Sequence, residues 1–295
     1  MINRLSTLAL VFVISLTSNA QETDSAAKEE ARLNNLNPTD FYLKRKGKMF
    51  ASWGYNRSAY SLSDIRFWGE GYDFTIKEAF AKDRQTKFDP KVYFNPSLFT
   101  IPQYNLRVGY FLTNKLSLSV SVDHMKYVLD NSQIATVNGS IETSASSDWA
   151  KEYDQELMAI TQDFVKYEHT DGLNIIYLEL DYNDLLLETL NRKFAVDLVT
   201  GIGAGAVVPK TNARLFENRG TDEFHLAGGS INANIGLKLF FFKHLFLHPA
   251  VKVGYVTLPD VLTNTSGNDK ASQNFSYFQA NMTVGYQFGL THKSF

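Results

Sequence analysis

The stretch Leu116-Ser117-Leu118-Ser119-Val120-Ser121-Val122-Asp123 alternates apolar and polar residues without a break. Successive side chains of a β-strand point to opposite faces of the sheet. The leucines and valines therefore share one face, and the serines and the aspartate share the other. The same alternation recurs along the second half of the chain, and it indicates a sheet with one apolar and one polar face.

Seven further segments complete a set of eight predicted strands, namely residues 49–60, 104–112, 173–182, 194–208, 227–241, 245–258 and 277–290. Their connections alternate between short and long, as in barrels with short periplasmic turns and long outer loops. The pattern predicts an all-β fold, an antiparallel transmembrane β-barrel of eight strands with long extracellular loops. Residues 65–82 alternate in part. They form a β-extension in the first outer loop, or they raise the number to ten if they add a crossing pair.

The first residues have the layout of a secretory signal. Arg4 precedes a short apolar run, and Ser18-Asn19-Ala20 provides small residues before a cut ahead of Gln21. The apolar run is shorter than the roughly 20 residues that a membrane-spanning helix needs. We therefore predict a signal peptide over residues 1–20, a periplasmic N-terminal leader over 21–48, the barrel over 49–290 and a C-terminal tail over 291–295.

The composition fits an exported barrel. The formal charge is −2, and removal of the signal with Arg4 makes it −3, which argues against a nucleic-acid binder because such proteins are basic. The chain has no Cys, so disulfides cannot stabilise it, whereas a fully hydrogen-bonded barrel can. Its 22 Phe and 15 Tyr suit the aromatic girdles at the two membrane interfaces.

Charged side chains fall on the inward face of the predicted strands. Single charges are costly in a narrow lumen, so we expect them to pair across the barrel. An eight-stranded barrel is just wide enough for side chains to fill it. We interpret the set as a salt-bridge network that fills the lumen, and a narrow or gated conduction path is the alternative. The set comprises Arg107, Asp123, Glu179, Asp181, Asp197, Lys238 and Lys252.

Three local patterns lie in the predicted outer loops. Asn138-Gly139 is typical of a two-residue hairpin turn. Residues 149–164 suggest a short acidic helix. The run from Glu168 through His169 to Asp171 has the residue types of a metal site, but its loose spacing favours a turn closed by Asp171-Gly172. We predict no catalytic residue, metal site or cofactor.

The signal ending at Ala20, the hairpin over residues 104–122 and the closing strand Val284-Gly285-Tyr286-Gln287-Phe288 carry a family resemblance. The chain resembles the small outer-membrane β-barrel proteins of Gram-negative bacteria, broadly like the OmpA transmembrane domain or the OmpW class. Trp53-Gly54-Tyr55-Asn56 looks like a strand of Bacteroidetes-type exported proteins. Phe295 is similar to the C-terminal aromatic residue that the barrel-assembly machinery reads in this class.

The resemblance implies a place in the cell outer membrane rather than an activity. We expect a non-enzymatic integral barrel with a structural or surface-interaction role through its long outer loops. Its expected partners are outer-membrane lipid and lipopolysaccharide, the barrel-assembly machinery and an extracellular partner of the loops. The alternatives are a narrow channel for small solutes and an enzyme that modifies lipid A. Such an enzyme would need a Ser, a His and an acid together at the lipid boundary.

Overall fold

A computed structural model describes residues 42–95, 97–98, 101–189, 193–216, 218–220 and 223–289. The predicted signal peptide, most of the leader and the tail at 291–295 lie outside these residues. The chain divides into two units, Met1–Lys44 and Arg45–Phe295, and the strands described below belong to the second. Within the described ranges, no helix has the length and apolar character needed to cross a bilayer.

The described elements are almost all strands. In chain order they are β1 (Lys48–Tyr60), β2 (Ser63–Gly69), β3 (Tyr72–Ala79), β4 (Ala81–Asp83), the short helix α1 (Pro90–Tyr93), β5 (Tyr104–Phe111), β6 (Leu116–Leu129), β7 (Ile134–Ile141), β8 (Lys151–Ala159), β9 (Val165–Glu188), β10 (Phe194–Pro209), β11 (Asn212–Leu215), β12 (Asn218–Arg219), β13 (Gly228–Phe241), β14 (Leu245–Leu262) and β15 (Lys270–Gly289).

Eight of these strands form a closed antiparallel ring in the order β1-β5-β6-β9-β10-β13-β14-β15. The ring closes between the first and last strands, with Lys48 opposite Gly289 and Tyr60 opposite Tyr277. The predicted barrel of eight strands is therefore confirmed. Closure leaves no unpaired sheet edge in the ring, which is what lipid requires of a β-structure.

The two faces of the wall have the predicted polarity. On β6, Ser117, Ser119, Ser121 and Asp123 point inwards and are buried, whereas Val120 points outwards and is 55% exposed. Exposed large apolar side chains occur on every described ring strand except β1, and we call them the apolar belt. The belt comprises Leu106, Val108, Tyr110, Leu118, Val120, Ile176, Leu178, Leu180, Ile202, Ile231, Ile235, Leu237, Val251, Val253, Phe278, Met282, Val284 and Tyr286.

The polarity of the interior reverses part-way up the barrel. On β15, Gln279, Thr283 and Gln287 face the interior in the half that bears the belt, whereas Phe275 and Tyr277 face it in the other half. The neighbouring strands change in the same way. The barrel thus has an apolar exterior and a mostly polar interior where it meets lipid, and an apolar interior where it projects beyond the belt.

The projecting half is closed by a cap, by which we mean β2, β3, β7, β8, β11, β12 and their connections. The start of β15 pairs with β2, and the sheet continues through β3 and β7 to β8. The prediction that residues 65–82 extend the first outer loop as β-structure is confirmed. The long connections all lie on the cap side, so the short turns mark the periplasmic end.

Three local predictions are wrong, and a shift of strand register explains two of them. Asn138-Gly139 lies inside β7, where Gly139 has a φ of 127° at a β-bulge rather than at a hairpin turn. Asp171-Gly172 lies inside β9, where Gly172 has a φ of 134° and the register to β6 shifts. The stretch 149–164 contains strand β8 instead of a helix, because it pairs with β7.

Candidate functional site

The belt-bearing half of the barrel holds a set of buried charges that we call the charged lumen. Among the residues that the structure describes, four cations and four carboxylates face this interior, so their formal charge is balanced. Seven are the residues predicted from the sequence, and Arg45 is the eighth. The eight are Arg45, Arg107, Lys238, Lys252, Asp123, Glu179, Asp181 and Asp197.

Five of these groups form one continuous chain across the barrel. Arg107 donates from Nε to Glu179 Oε2 at 2.9 Å and from Nη1 to Asp181 Oδ2 at 2.9 Å. Lys252 Nζ lies 2.9 Å from Glu179 Oε1 and 2.5 Å from Asp123 Oδ2. Each carboxylate of the chain therefore has a cationic partner, which is the arrangement that burial of a charge demands.

Neutral side chains complete the hydrogen bonds of the chain. Ser121 Oγ donates to Glu179 Oε2 at 2.7 Å, and Asn105 Nδ2 donates to Asp123 Oδ1 at 2.6 Å. Asn234 Nδ2 lies 3.3 Å from Asp181 Oδ1. These amides and hydroxyls come from inward positions of β5, β6 and β13. Their pairing spans several strands of the ring and could not be read from one strand alone.

Inward glycines of β10 make room for the carboxylates of β9. A Cβ built on Gly201 would lie 2.0 Å from Asp181 Oδ1, and one built on Gly203 would lie 2.7 Å from Glu179 Cγ. These close approaches explain the alternating glycines of Gly201-Ile202-Gly203-Ala204-Gly205. The outward residues between them contribute to the lipid-facing wall, and the glycines let the ionic chain lie against the strand.

Lys238 is held differently from the other lumen cations. Its ammonium lies 4.2 Å from the ring centre of Phe50, 5.5 Å from that of Phe246 and 5.8 Å from that of Phe111. It also donates to Asn183 Oδ1 at 3.0 Å. Among the described residues, its Nζ has no carboxylate within 4 Å. The expectation of cross-barrel ion pairing therefore fails for Lys238, because aromatic faces stabilise its charge instead.

Arg45 forms the ion pair nearest the periplasmic end of the lumen. Its Nη1 lies 2.7 Å from Asp197 Oδ2 and its Nη2 donates to Asp197 Oδ1 at 2.8 Å, with both side chains buried. Sequence analysis placed Arg45 in the leader and so missed it. One signal could have found it, since the seven predicted lumen charges contain three cations against four carboxylates and a further cation was needed.

Little open space remains inside the charged lumen. A void of about 30 Å³, enough for one or two water molecules, lies beside Arg107, Lys252 and His248. Above it, Tyr177 Oη and Tyr277 Oη are 2.8 Å apart. Higher still, the interior is an apolar core that includes Met125, Tyr127, Phe164, Leu173, Ile175, Val256, Leu258 and Phe275.

The histidine considered for metal binding lies in that apolar core. His169 is fully buried, and its Nδ1 is 3.0 Å from Thr211 Oγ1. Burial lowers the pKa of His169 to about 3, so its ring is neutral at physiological pH. Glu168 points to the other face of β9, where Lys166 and Asn212 contact it. Among the described residues, no three metal-ligating side chains of the His, Cys, Asp and Glu types converge.

Comparison with known proteins gives similar folds and no sequence relative. No protein-family model matches the chain, and no curated protein matches it. A solid-state NMR structure of the outer membrane protein AlkL matches over 85% of this chain and 95% of its own, with 13% identity and a TM-score of 0.40. The crystal structure of the outer membrane protein OprG from Pseudomonas aeruginosa matches over 85% and 100%, with 10% identity and a TM-score of 0.39.

A third similar structure is the N-terminal β-barrel domain of Pseudomonas aeruginosa OprF, with 10% identity, a TM-score of 0.30 and coverage of 83% of this chain and 100% of its own. Scores and identities this low transfer no ligand, partner or activity. The membrane location of this chain follows from the polarity of its own barrel wall. A closed ring with an apolar belt outside and paired charges inside is an integral barrel of the cell outer membrane.

Proposed function

We propose that this protein is a non-enzymatic outer-membrane barrel that acts through its extracellular cap, either as a structural element of the envelope or as a surface for a partner. The filled interior is the observation that carries the proposal. The lumen is blocked by an aromatic cluster around Lys238, by the ionic chain of Arg107 and by the apolar core above Tyr177. A barrel that is closed at three levels leaves its loops as the part available for interaction.

The cap has the properties of an interaction module. It is a folded extension of the barrel wall rather than a set of separate loops, since β2 continues the sheet from β15. Its aromatic side chains pack closely, with the rings of Phe74 and Phe164 5.2 Å apart and those of Phe67 and Phe74 5.4 Å apart. Such packing fixes the outer surface in one shape, which favours specific recognition.

A narrow channel is the second candidate, and the buried lumen void is the observation that favours it. The two candidates differ in conductance. The protein would be refolded into detergent, tested for a heat-dependent shift in gel mobility and then inserted into planar bilayers. We expect a mobility shift without channel steps. Discrete steps carried by the refolded protein would contradict the proposal and favour transport.

A lipid-modifying enzyme has less support. His124 faces outwards at the lipid boundary, where such a site would lie, but its Nδ1 is 2.7 Å from the amide oxygen of Asn174 and its ring stacks on Tyr104. Incubation of the refolded barrel with lipid A, followed by mass spectrometry, tests this role. We expect unchanged lipid, and a time-dependent change in acyl chains would contradict the non-enzymatic proposal.

A further inference from the structure

The first outer loop contains an aromatic segment that lies against the outside of the barrel instead of joining the cap. We call residues 85–95 the aromatic ledge. It includes α1, whose first turn is capped by the Asp89 side chain accepting from the Lys91 N–H. Tyr93 is its only aromatic residue that is buried, and it faces the barrel wall.

Three contacts fix the ledge to the wall. The ring of Tyr93 packs on that of Tyr55 of β1, with centres 4.7 Å apart. Arg57 Nη2 donates to Tyr93 Oη at 3.1 Å. Tyr93 Oη in turn donates to the Thr86 carbonyl at 2.8 Å, so the segment is folded back on itself. On β6, Lys126 Nζ lies 3.4 Å from Thr86 Oγ1.

The height of the ledge follows from strand register. Tyr55 is paired with Tyr104, and Tyr104 is paired with His124. The next outward residue of β5 below Tyr104 is Leu106, which belongs to the apolar belt. The Tyr55–Tyr104 level is therefore the upper rim of the belt, where aromatic side chains of outer-membrane barrels meet the lipid headgroups.

Two phenylalanines of the ledge are largely exposed. Phe88 is 68% exposed and Phe94 is 76% exposed. The Phe88 ring centre is 5.1 Å from that of Tyr93 and 6.4 Å from that of Phe94, so the three rings form one group. The large aromatic residues of the cap are mostly buried. An exposed pair at the rim therefore continues the membrane-facing surface.

Positive charge accompanies these rings. Lys87 and Lys91 are exposed and lie on the same segment as Phe88, and only Asp89 opposes them within the ledge. Arg57 and Lys126 lie beneath, where they contact Tyr93 and Thr86 of the segment. Exposed rings at the rim of the belt with cations beside them match the chemistry of a phosphorylated lipid headgroup.

We propose that the aromatic ledge rests in the outer leaflet and binds a phosphorylated lipid there. Phe88 and Phe94 lie among the upper acyl chains, and Lys87 and Lys91 contact the phosphate groups. The ledge thereby attaches the first outer loop to the membrane, while β2 and β3 of that loop belong to the cap. This inference rests on the membrane location and is independent of the role of the cap.

Depth can be measured by spin labelling, because the chain has no Cys. Single variants Phe94→Cys, Val120→Cys and Leu157→Cys would be labelled and reconstituted in nanodiscs, after a gel shift shows that each has folded. Val120 lies in the belt, and Leu157 is exposed on the cap strand β8. We expect the label at position 94 to collide with oxygen as the belt label does. Collision with a water-soluble nickel complex as frequent as at position 157 would overturn the proposal.

A second experiment tests whether Lys87 and Lys91 recognise the phosphate groups of the lipid. Binding of bis-phosphorylated lipid A would be compared between Lys87→Gln/Lys91→Gln and the matched control Lys77→Gln/Lys151→Gln, which removes the same charge from the cap. Each lysine near an anionic lipid surface contributes about a fivefold change in affinity, so the ledge variant should bind roughly thirtyfold more weakly at low salt. Equal affinities of the two variants, or equal binding of dephosphorylated lipid A by the parent protein, would overturn the assignment of the lysines.

Discussion

Replacement of Arg107 by Met tests whether the ionic chain stabilises the barrel. Arg107 is the guanidinium between Glu179 and Asp181, and it contacts both carboxylates. Met occupies a similar length without charge. After the change, Glu179 keeps Lys252 at 2.9 Å, but Asp181 loses its only cation within 4 Å among the described residues. Asp181 keeps its contact with Asn234, whose side-chain Nδ2 lies 3.3 Å from Asp181 Oδ1.

The expected decrease in the free energy of unfolding follows from the loss of this cation. Removal of one partner from a buried ion pair costs about 3–5 kcal/mol, because the other charge is left buried and uncompensated. We expect Arg107→Met to lower the free energy of unfolding by this amount. The double variant Arg107→Met/Asp181→Asn removes the uncompensated charge as well. It should recover about 2 kcal/mol, since the chain of Asp123, Lys252 and Glu179 stays intact.

Reversible urea unfolding in phospholipid vesicles measures both values, with tryptophan fluorescence and gel mobility as independent probes. Parent, single and double variants would be compared at one lipid composition. A single variant within about 0.5 kcal/mol of the parent would refute the reasoning, since changes of that size are usual at sites without a specific role. A double variant less stable than the single one would show that the uncompensated carboxylate is not the source of the cost.

Three further changes test other parts of the interior. Arg45→Met should cost about 3 kcal/mol in the same assay, because Asp197 then has no cation within 4 Å among the described residues. Gly203→Val should prevent folding to the heat-modifiable form, because its Cβ would lie 2.7 Å from Glu179 Cγ. His169→Phe should remove part of the acid sensitivity. Burial lowers the pKa of His169 to about 3, whereas unfolding restores it to about 6.5, so stability falls by about 1.4 kcal/mol per unit as pH drops through this window.

Each of these changes has a matched control. Lys46→Met removes a neighbouring exposed cation and should be neutral, so an equal cost at position 45 and at position 46 would contradict the Arg45 pairing. Gly289 has nothing within 4 Å of an added Cβ, and Gly289→Val should fold if sterics alone decide the outcome at Gly203. For His169, the parent and the variant would be compared at pH 7 and pH 4.5. Parallel pH profiles would show that other groups cause the acid sensitivity.

The lipid-facing part of the fold could be predicted because, in a strand that alternates apolar and polar residues, only the apolar face can contact lipid. Between Leu116 and Asp123, every second residue is apolar, and lipid contact demands that this face point outwards. The same alternation predicted that the side chains of Arg107, Asp123 and Glu179 face the interior. The partners of each charge could not be predicted, because they depend on strand stagger around the closed ring. Arg45 was missed since it precedes the first alternating strand.

The cap could be predicted only in part, because the apolar face of a strand points inwards above the rim, whereas it points outwards in the belt. Residues 129–172 are largely polar and show no long alternation in sequence, yet they contain β7, β8 and the start of β9. Water replaces lipid outside these strands, so their polar side chains face outwards and the apolar ones pack inside. Glycine at a bulge and glycine at a hairpin turn both adopt a positive φ, and local sequence did not separate them at Gly139.

The reversal of polarity also explains why the lumen must be closed by two different means. Where lipid covers the wall, the apolar side chains are needed outside, so the interior is left with polar residues that must satisfy one another through pairs such as Lys252 with Asp123. Above the rim, water covers the wall and the apolar side chains turn inwards, as Tyr127 and Phe275 do with ring centres 5.0 Å apart. A substitution that adds one unpaired charge should therefore be costly at either level. The loss of an apolar group should be costly above the rim and milder beside the ion-paired lumen charges, except in the aromatic cluster around Lys238, and this difference separates the two modes of closure experimentally.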